Sequence, residues 1–207
     1  NWILFAFIAA SYVLLSLYFN EYILTDNIFY NSFGEQLAIE RIEQIINMQK
    51  RWRWLGYAFA PAILALRILA VCGCIYLRLF FDNKDMSFKA LMKIVLVAEF
   101  VFLLELLVRT FYLSFFAEVN TLTDLQSFSL LSLSGLFPQA GIPAYLKYPL
   151  QTASVFQVAY IIMLAEGVRH FSKVPFMKAL LIALSSYGIG LICWIVFVMF
   201  LILQYGS

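Results

Sequence analysis

The sequence predicts an all-α, polytopic integral membrane protein: a bundle of five transmembrane helices with one amphipathic interfacial helix. Composition is the first reason, because 64% of the 207 residues are hydrophobic and only 13% are charged, whereas soluble domains carry roughly 25% charged residues. The second reason is that the apolar residues form five long stretches. About 20 apolar residues in a helix cross the roughly 30 Å hydrocarbon core of a bilayer. We therefore expect one transmembrane domain over residues 1–207.

The first apolar stretch is Trp2–Phe19. It has no basic segment before it and no small-residue cleavage site after it, which distinguishes it from a secretory signal peptide. We predict that it is the first transmembrane helix. A polar stretch, Asn20–Asn31, follows it.

An amphipathic helix is predicted for about Gly34–Trp54. Its apolar residues recur at helical spacing between charged ones, and they are Ala38, Ile39, Ile42, Ile45 and Ile46. We expect this helix to lie in the headgroup plane, with Trp52 and Trp54 at the depth that indole rings prefer. The alternative is a helix that packs on the protein's own loops.

The second and third spans are predicted at about Leu55–Phe81 and Lys89–Ala117, and Asp82–Ser87 turns the chain between them. Pro61 lies in the first turns of the second span, where a proline is tolerated. The third span is long enough to tilt or to protrude from the bilayer.

A long linker, Glu118–Tyr148, precedes the last two spans. Within it the Ser- and Leu-rich run Leu125–Leu136 is too short to cross a bilayer, so a short interfacial or re-entrant helix is expected. Spans four and five are predicted at about Pro149–Phe171 and Phe176–Tyr205. Only a few residues separate these two spans, so they must form an antiparallel hairpin.

Basic residues near the span ends predict the orientation. The second and fourth loops are rich in them, whereas the third loop has only Lys147. The first loop also holds basic residues, but on a helix that they share with acidic ones. We therefore expect a cytoplasmic N-terminus and an external C-terminus, in a bacterial inner membrane. The basic residues around loops two and four are Arg78, Lys84, Lys89, Lys93, Arg169, Lys173 and Lys178.

Five ionisable residues within the predicted spans are the candidate polar or partner-contact site, because charges at bilayer depth are costly. They are Arg67, Glu99, Glu105, Arg109 and Glu166. Glu105 and Arg109 have the i, i+4 spacing of a pair on one helix face. Glu99 and Glu105 are about 120° apart around a helix, so one of them can reach Arg67 while the other faces elsewhere. Three roles stay open: an ion pair that fixes helix register, a proton or ion relay, and a contact for a partner's transmembrane helix.

Motifs of catalysis and of cofactor binding are missing from the sequence. His170 is the only histidine, and the three cysteines, Cys72, Cys74 and Cys193, lie in apolar segments. Nothing matches a phosphate-binding Gly-rich loop, a Ser/His/Asp set or a His-Glu-x-x-His zinc motif. We predict no cofactor, no metal and no enzymatic activity, and the net charge of +2 argues against a nucleic-acid partner.

The last two spans resemble the C-terminal half of bacterial Yip1-domain proteins. The resemblance is carried by Val155-Phe-Gln-Val-Ala-Tyr-Ile-Ile-Met-Leu-Ala-Glu-Gly-Val-Arg, then Phe171-Ser-Lys, then Met177-Lys-Ala-Leu-Leu. It covers about residues 55–205 and implies five spans with the N-terminus inside and the C-terminus outside. The Asp-Leu-Tyr-Gly-Pro motif of the eukaryotic trafficking members is absent, so their role is not carried over.

The function expected from these observations is that of a non-enzymatic accessory or scaffolding subunit, which acts through membrane protein partners or as a homo-oligomer. The alternative is a transporter or channel component that uses Arg67, Glu99 and Glu105. An enzyme acting on lipid or isoprenoid is a third hypothesis, with no motif behind it.

Overall fold

The computed structural model describes residues 1–82, 86–117, 119–128, 131–137 and 141–205. The predicted all-α class is confirmed, since this part of the chain is helical and has no β-strand. The linker residues 83–85, Glu118 and Pro138, on which the loop predictions partly rest, lie outside the described ranges. The α-helices are α1 (Trp2–Tyr18), α2 (Asp26–Phe33), α3 (Ile39–Phe81), α4 (Phe88–Phe115), α5 (Leu122–Ser127), α6 (Ala144–Thr152), α7 (Val155–Ser172), α8 (Phe176–Ala183) and α9 (Ile189–Tyr205).

Five helices, α1, α3, α4, α7 and α8, share one apolar core. Helix α4 lies at its centre and packs against α1, α3 and α7, while α8 packs against α7 and α3. The largest fully buried apolar side chains come from four of these helices, and they are Ile8, Ile68, Ile75, Leu79, Leu91, Leu96, Tyr160 and Leu164. Helix α9, by contrast, buries none of its residues.

Within the described residues, three helical stretches are long and apolar enough to cross a membrane: Trp2–Ile23, Ile39–Phe81 and Phe176–Tyr205. The first is α1 extended by a π-helical turn, Phe19–Ile23. The last joins α8 to α9 through a second π-helical turn, Leu184–Gly188. The first and the last predicted spans are therefore confirmed as helices, and the first extends four residues further than expected.

The amphipathic segment predicted at Gly34–Trp54 is not a separate helix. Residues Ile39–Phe81 form a single helix of 43 residues, about 65 Å long at 1.5 Å per residue. Between Ile39 and Leu55 the chain has no glycine or proline to end a helix, and Pro61 is accommodated inside it. The segment is thus an extension of the second predicted span, and its first turns pack against α2 through Ile42, Ile46 and Phe29.

The fourth predicted span begins at Val155 and not at Pro149, because a break separates α6 from α7. Ser154 starts α7 by accepting a hydrogen bond from the Gln157 N–H at 3.1 Å, as an N-cap residue does. The backbone on either side of the break bonds to Leu131 and Leu133 at 3.0 and 2.9 Å. Those hydrogen bonds connect the long linker to the start of α7.

The described part of the long linker before α6 forms two short helical pieces in place of the one interfacial or re-entrant helix expected from Leu125–Leu136. They are α5 and a 3₁₀ turn, Leu133–Leu136. Helix α5 begins with a capping box between Thr121 and Asp124, in which side chain and backbone satisfy each other's unpaired donors. Hydrogen bonds from Thr121 hold the pKa of the Asp124 carboxyl below its usual value.

The turn predicted between the last two spans is present. Helix α7 ends at Ser172, Lys173 adopts a left-handed conformation with φ of 51°, and α8 begins at Phe176. The two helices pack side by side, so they form the expected antiparallel hairpin. Small residues near the end of the chain allow close approach, because a Cβ added at Gly190 would lie 3.1 Å from the Cys74 sulfur.

Candidate functional site

The centre of the candidate site is an ion pair between Arg67 of α3 and Glu99 of α4. Arg67 Nε donates to Glu99 Oε1 at 3.2 Å, and its Nη2 donates to Oε2, so the contact is bidentate. Glu99 is fully buried. A buried carboxylate costs several kcal/mol in lost hydration, and the guanidinium offsets that cost by presenting two parallel donors. The pair joins α3 to α4.

Two aromatic side chains complete the surroundings of this pair. Tyr160 of α7 donates its hydroxyl to Glu99 Oε1 at 3.1 Å, so the carboxylate receives hydrogen bonds from two other helices. Phe102, one turn after Glu99 on α4, lies under the guanidinium, with Arg67 Cζ 4.5 Å from the ring centroid. At this distance a cation–π interaction further stabilises the Arg67 charge.

The polar residues continue beyond Tyr160 towards α8 and α9. The Tyr187 ring lies 5.1 Å from the Tyr160 ring, and Gln157 Nε2 donates to the Tyr187 hydroxyl at 2.8 Å. On the other side of Arg67, the buried Tyr12 hydroxyl is close enough to interact with the guanidinium electrostatically, although it makes no well-formed hydrogen bond. The interior of the helical core thus contains a row of polar groups contributed by α1, α3, α4 and α7 and by the turn before α9.

The two members of the ion pair differ in their exposure. Glu99 is inaccessible, whereas 42% of the Arg67 side chain is exposed. Two apolar residues before it on the same helix, Ile63 one turn earlier and the adjacent Leu66, are also exposed. The Glu99 carboxylate therefore receives its hydrogen bonds inside the bundle, whereas part of the Arg67 side chain reaches the surface. Arg67 is a charged residue on an otherwise apolar helix face.

Glu105 and Arg109 do not form the ion pair that their spacing allowed, since no oxygen–nitrogen contact within 4 Å joins them. Arg109 Nη2 instead donates to the Leu125 carbonyl at 3.1 Å, near the end of α5, where helical carbonyls lack intrahelical partners. Glu105 stays within electrostatic range of both Arg67 and Arg109. The contact of Arg109 with α5 is a tertiary interaction, which the i, i+4 spacing of Glu105 and Arg109 does not predict.

Glu166 lies apart from the Arg67 site. It pairs with Arg169 at 3.1 Å, both side chains being 51% exposed, which is typical of a surface ion pair. His170 contacts the ring of Phe171 next to it on the helix. Among the described residues, no group of three or more His, Cys, Asp or Glu side chains could hold a metal ion.

Several residues of the site were not singled out by the sequence, namely Tyr12, Phe102, Gln157, Tyr160 and Tyr187. Tyrosine and phenylalanine are common throughout the apolar stretches, so they carry no individual signal there. Gln157 and Tyr160 do have one, because their i, i+3 spacing places two hydrogen-bonding side chains on one face of the apolar first half of α7. The pairing of one carboxylate with Arg67, expected from the positions of Glu99 and Glu105, is present with Glu99.

Comparisons of this chain with models of known families, with curated proteins and with solved structures find no match. The resemblance to Yip1-domain proteins stays a prediction from the sequence.

Proposed function

We propose that α4 and α7 cross the membrane together with the three more apolar stretches, which gives five spans. Helix α4 packs against α1, α3 and α7, and α7 packs against α4 and α8. One of the charges that make α4 less apolar is directed inwards, since Glu99 is buried against Arg67 and Tyr160. Ionisable groups in transmembrane helices face the interior and pair in this way. The Yip1-like pattern of the last two spans supports the same arrangement.

The proposed orientation places the N-terminus in the cytoplasm of a bacterial cell and the C-terminus outside. The Asn1 side chain donates to the Lys89 carbonyl at 3.2 Å, so the start of α1 and the start of α4 are at the same end of the bundle. A surface cavity at this end is lined by Asn1, Lys89, Lys93 and Phe171 among others. This end therefore brings together basic residues of loops two and four, and such an end faces the cytoplasm.

Within this membrane frame the chain acts as a non-enzymatic accessory subunit that binds a partner's transmembrane helix at Arg67. The observation that carries the proposal is the 42% exposure of the Arg67 side chain at the middle of the apolar part of α3. Hydrocarbon cannot accept hydrogen bonds from the remaining guanidinium N–H groups, and leaving them unpaired there costs several kcal/mol. A partner helix with a carboxylate or a hydroxyl at the same depth would satisfy them.

Purification from native membranes in mild detergent tests this function. We expect the tagged wild-type chain to co-elute with a stoichiometric membrane protein, or as a defined homo-oligomer. The double variant Arg67→Leu/Glu99→Gln removes both charges and keeps an acceptor for Tyr160, so it should fold but lose the partner. The matched control, Arg169→Leu/Glu166→Gln, alters an exposed ion pair and should retain it. A wild-type chain that elutes as a lone monomer would contradict the proposal.

A transporter or channel component is the second candidate function. The observation that favours it is the row of polar side chains inside the bundle, in which Glu99 receives hydrogen bonds from both Arg67 and Tyr160. Carboxylates in such rows can relay protons or ions. Glu99→Gln should then abolish proton or ion flux into reconstituted vesicles while Glu166→Gln leaves it unchanged. Equal flux in the two variants would eliminate this function.

A further inference from the structure

A polar cavity lies where the first helix of the bundle meets the long helix α3. It is lined on one side by the π-helical turn after α1 and by the start of α2, and on the other side by residues from two successive turns of α3. Its volume is about 520 Å³, within the range of small-molecule sites. The lining residues are Asn20, Glu21, Leu24, Thr25, Asp26, Asn27, Gln49, Lys50 and Arg53.

The cavity is lined by two cationic and two anionic side chains, which form two ion pairs across it. Lys50 pairs with Asp26 at 2.7 Å, and Arg53 pairs with Glu21 at 3.1 Å. Arg53 also donates to the Asn20 carbonyl at 3.3 Å. These contacts join α3 to the two elements opposite it, so two cations and two anions stand in fixed positions around one space.

Each of these four groups retains hydrogen-bonding capacity. An ammonium has three N–H donors and a guanidinium five, whereas Lys50 uses one for Asp26 and Arg53 uses two. Asp26 pairs with Lys50 through Oδ2 and Glu21 pairs with Arg53 through Oε2, so the other oxygen of each carboxylate is not used in these two ion pairs. The cavity can thus donate to a phosphate and accept from an ammonium at the same time.

The cavity is also at the depth of lipid headgroups in the proposed membrane frame. Its lining begins at Asn20, in the last turn of the first apolar stretch, Trp2–Ile23. On α3 it ends at Arg53, next to Trp52 and Trp54, which are both exposed. Indole rings in such positions mark the membrane–water interface.

We propose that this cavity binds the phosphoethanolamine headgroup of a phospholipid, with Lys50 and Arg53 on the phosphate and Asp26 and Glu21 on the ammonium. A net-neutral cavity favours a zwitterion over a purely anionic headgroup, because an anion alone would meet both carboxylates. Ethanolamine is favoured over choline because its ammonium has N–H donors for the two carboxylates and a quaternary ammonium has none. The proposal rests on the membrane frame but is independent of a partner at Arg67.

Native mass spectrometry of the protein released from nanodiscs tests the proposal. The nanodiscs contain equal amounts of phosphatidylethanolamine, phosphatidylcholine and phosphatidylglycerol with identical acyl chains. We expect the wild-type chain to retain phosphatidylethanolamine over each of the others by roughly tenfold, the size of one charge-assisted hydrogen bond. Equal retention of the three lipids, or enrichment of phosphatidylglycerol, would overturn the proposal without the use of any variant.

Two variants and one soluble competitor sharpen the test. Asp26→Asn and Lys50→Gln should each reduce the preference towards parity, while the control Glu166→Gln, also a half-exposed carboxylate in an ion pair, should keep it. Circular dichroism of each variant shows whether it folds. Soluble glycerophosphoethanolamine is a phosphodiester with the same charges and without acyl chains, so we expect it not to displace the lipid at equal concentration. Complete displacement would overturn the assignment to a lipid.

Discussion

The two residues of the buried ion pair, Glu99 and Arg67, contribute differently to stability and to function. Glu99 is enclosed by protein, whereas Arg67 is 42% exposed. The loss of either charge alone leaves the other in a poorly solvated place, but only Arg67 has free surface for a second protein. This asymmetry separates a folding role for the carboxylate from a binding role for the guanidinium.

The first prediction concerns the stability of this pair. Glu99→Ala should lower the free energy of unfolding by about 3–5 kcal/mol, because it leaves the Arg67 charge without its buried partner. The double variant Arg67→Leu/Glu99→Gln should recover most of that loss, since no unpaired charge remains. Thermal unfolding in detergent, followed by circular dichroism, measures both.

The control for that prediction is Glu166→Ala. Its carboxylate belongs to a half-exposed ion pair, and such pairs contribute about 0–1 kcal/mol. If Glu99→Ala and Glu166→Ala unfold at the same temperature, the buried pair does not stabilise the bundle and the argument from desolvation is wrong.

Two glycines inside helices, Gly167 and Gly73, differ in the space available for a side chain. A Cβ added at Gly167 of α7 would overlap with the Ile94 side chain of α4, whereas a Cβ added at Gly73 of α3 would meet nothing within 4 Å. Gly167→Ala should therefore lower the free energy of unfolding by about 1–3 kcal/mol through overpacking. Gly73→Ala should be neutral or raise it by up to about 1 kcal/mol, because alanine favours helix.

Thermal unfolding of the two glycine variants checks this contrast. Equal behaviour of Gly167→Ala and Gly73→Ala would mean that α4 and α7 do not approach as closely as the structure has them.

At the scale of the element, the long helix α3 departs most from what the sequence pattern predicted. The change from amphipathic to fully apolar residues near Leu55 predicted two helices of different orientation. Side-chain character changes there, but the backbone has no reason to end the helix, because neither proline nor glycine occurs between Ile39 and Leu55. Hydropathy indicates whether each part of a helix faces water or lipid, but it does not indicate whether the helix is continuous.

The length of α3 gives a prediction for spectroscopy. Spin labels on cysteines introduced at the exposed positions Glu40 and Phe81, in a chain without its native cysteines, should be about 60 Å apart at 1.5 Å per residue. Electron–electron double resonance in nanodiscs measures this distance. A bend of about 90° at residue 54, as an interfacial helix requires, would shorten it to about 45 Å by the same rise per residue.

The start of α7 shows a second limit of sequence reasoning at this scale. The sequence predicted this span from about Pro149, yet the helix starts at Val155 because Ser154 caps it and the linker forms hydrogen bonds to the break. A serine before an apolar run is a usable signal for a helix start. The hydrogen bonds from Leu131 and Leu133 are tertiary and have no trace in local spacing.

At the scale of the whole molecule, composition predicted the all-α class and its apolar stretches, since both depend on the solvent that the chain must face. The pairing of Arg67 with Glu99 was foreseeable as one of two choices, because Glu99 and Glu105 point about 120° apart on a helix. The selection of Glu99, the contribution of Tyr160 and the charged cavity around Lys50 depend on how helices distant in sequence meet. One sequence without tertiary contacts does not contain that information.

Two exposed surfaces of the bundle are expected to contact different partners, one a protein and the other lipid. The face of α3 around Ile63, Leu66 and Arg67 is interrupted by a charge, so it is assigned to a partner protein. Helix α9 is apolar, exposed and without a charged residue, so it is assigned to lipid. The partner proposal therefore makes a spatial prediction about the whole molecule.

Photo-crosslinking in native membranes tests that assignment most directly. Benzoylphenylalanine at Leu66, one position from Arg67, should form a crosslink to a discrete second protein or to a second copy of this chain. The same group at Leu203 of α9 should form none. Crosslinks to lipid alone at both positions, with Arg67 present, would contradict the central claim that the exposed arginine contacts a protein partner.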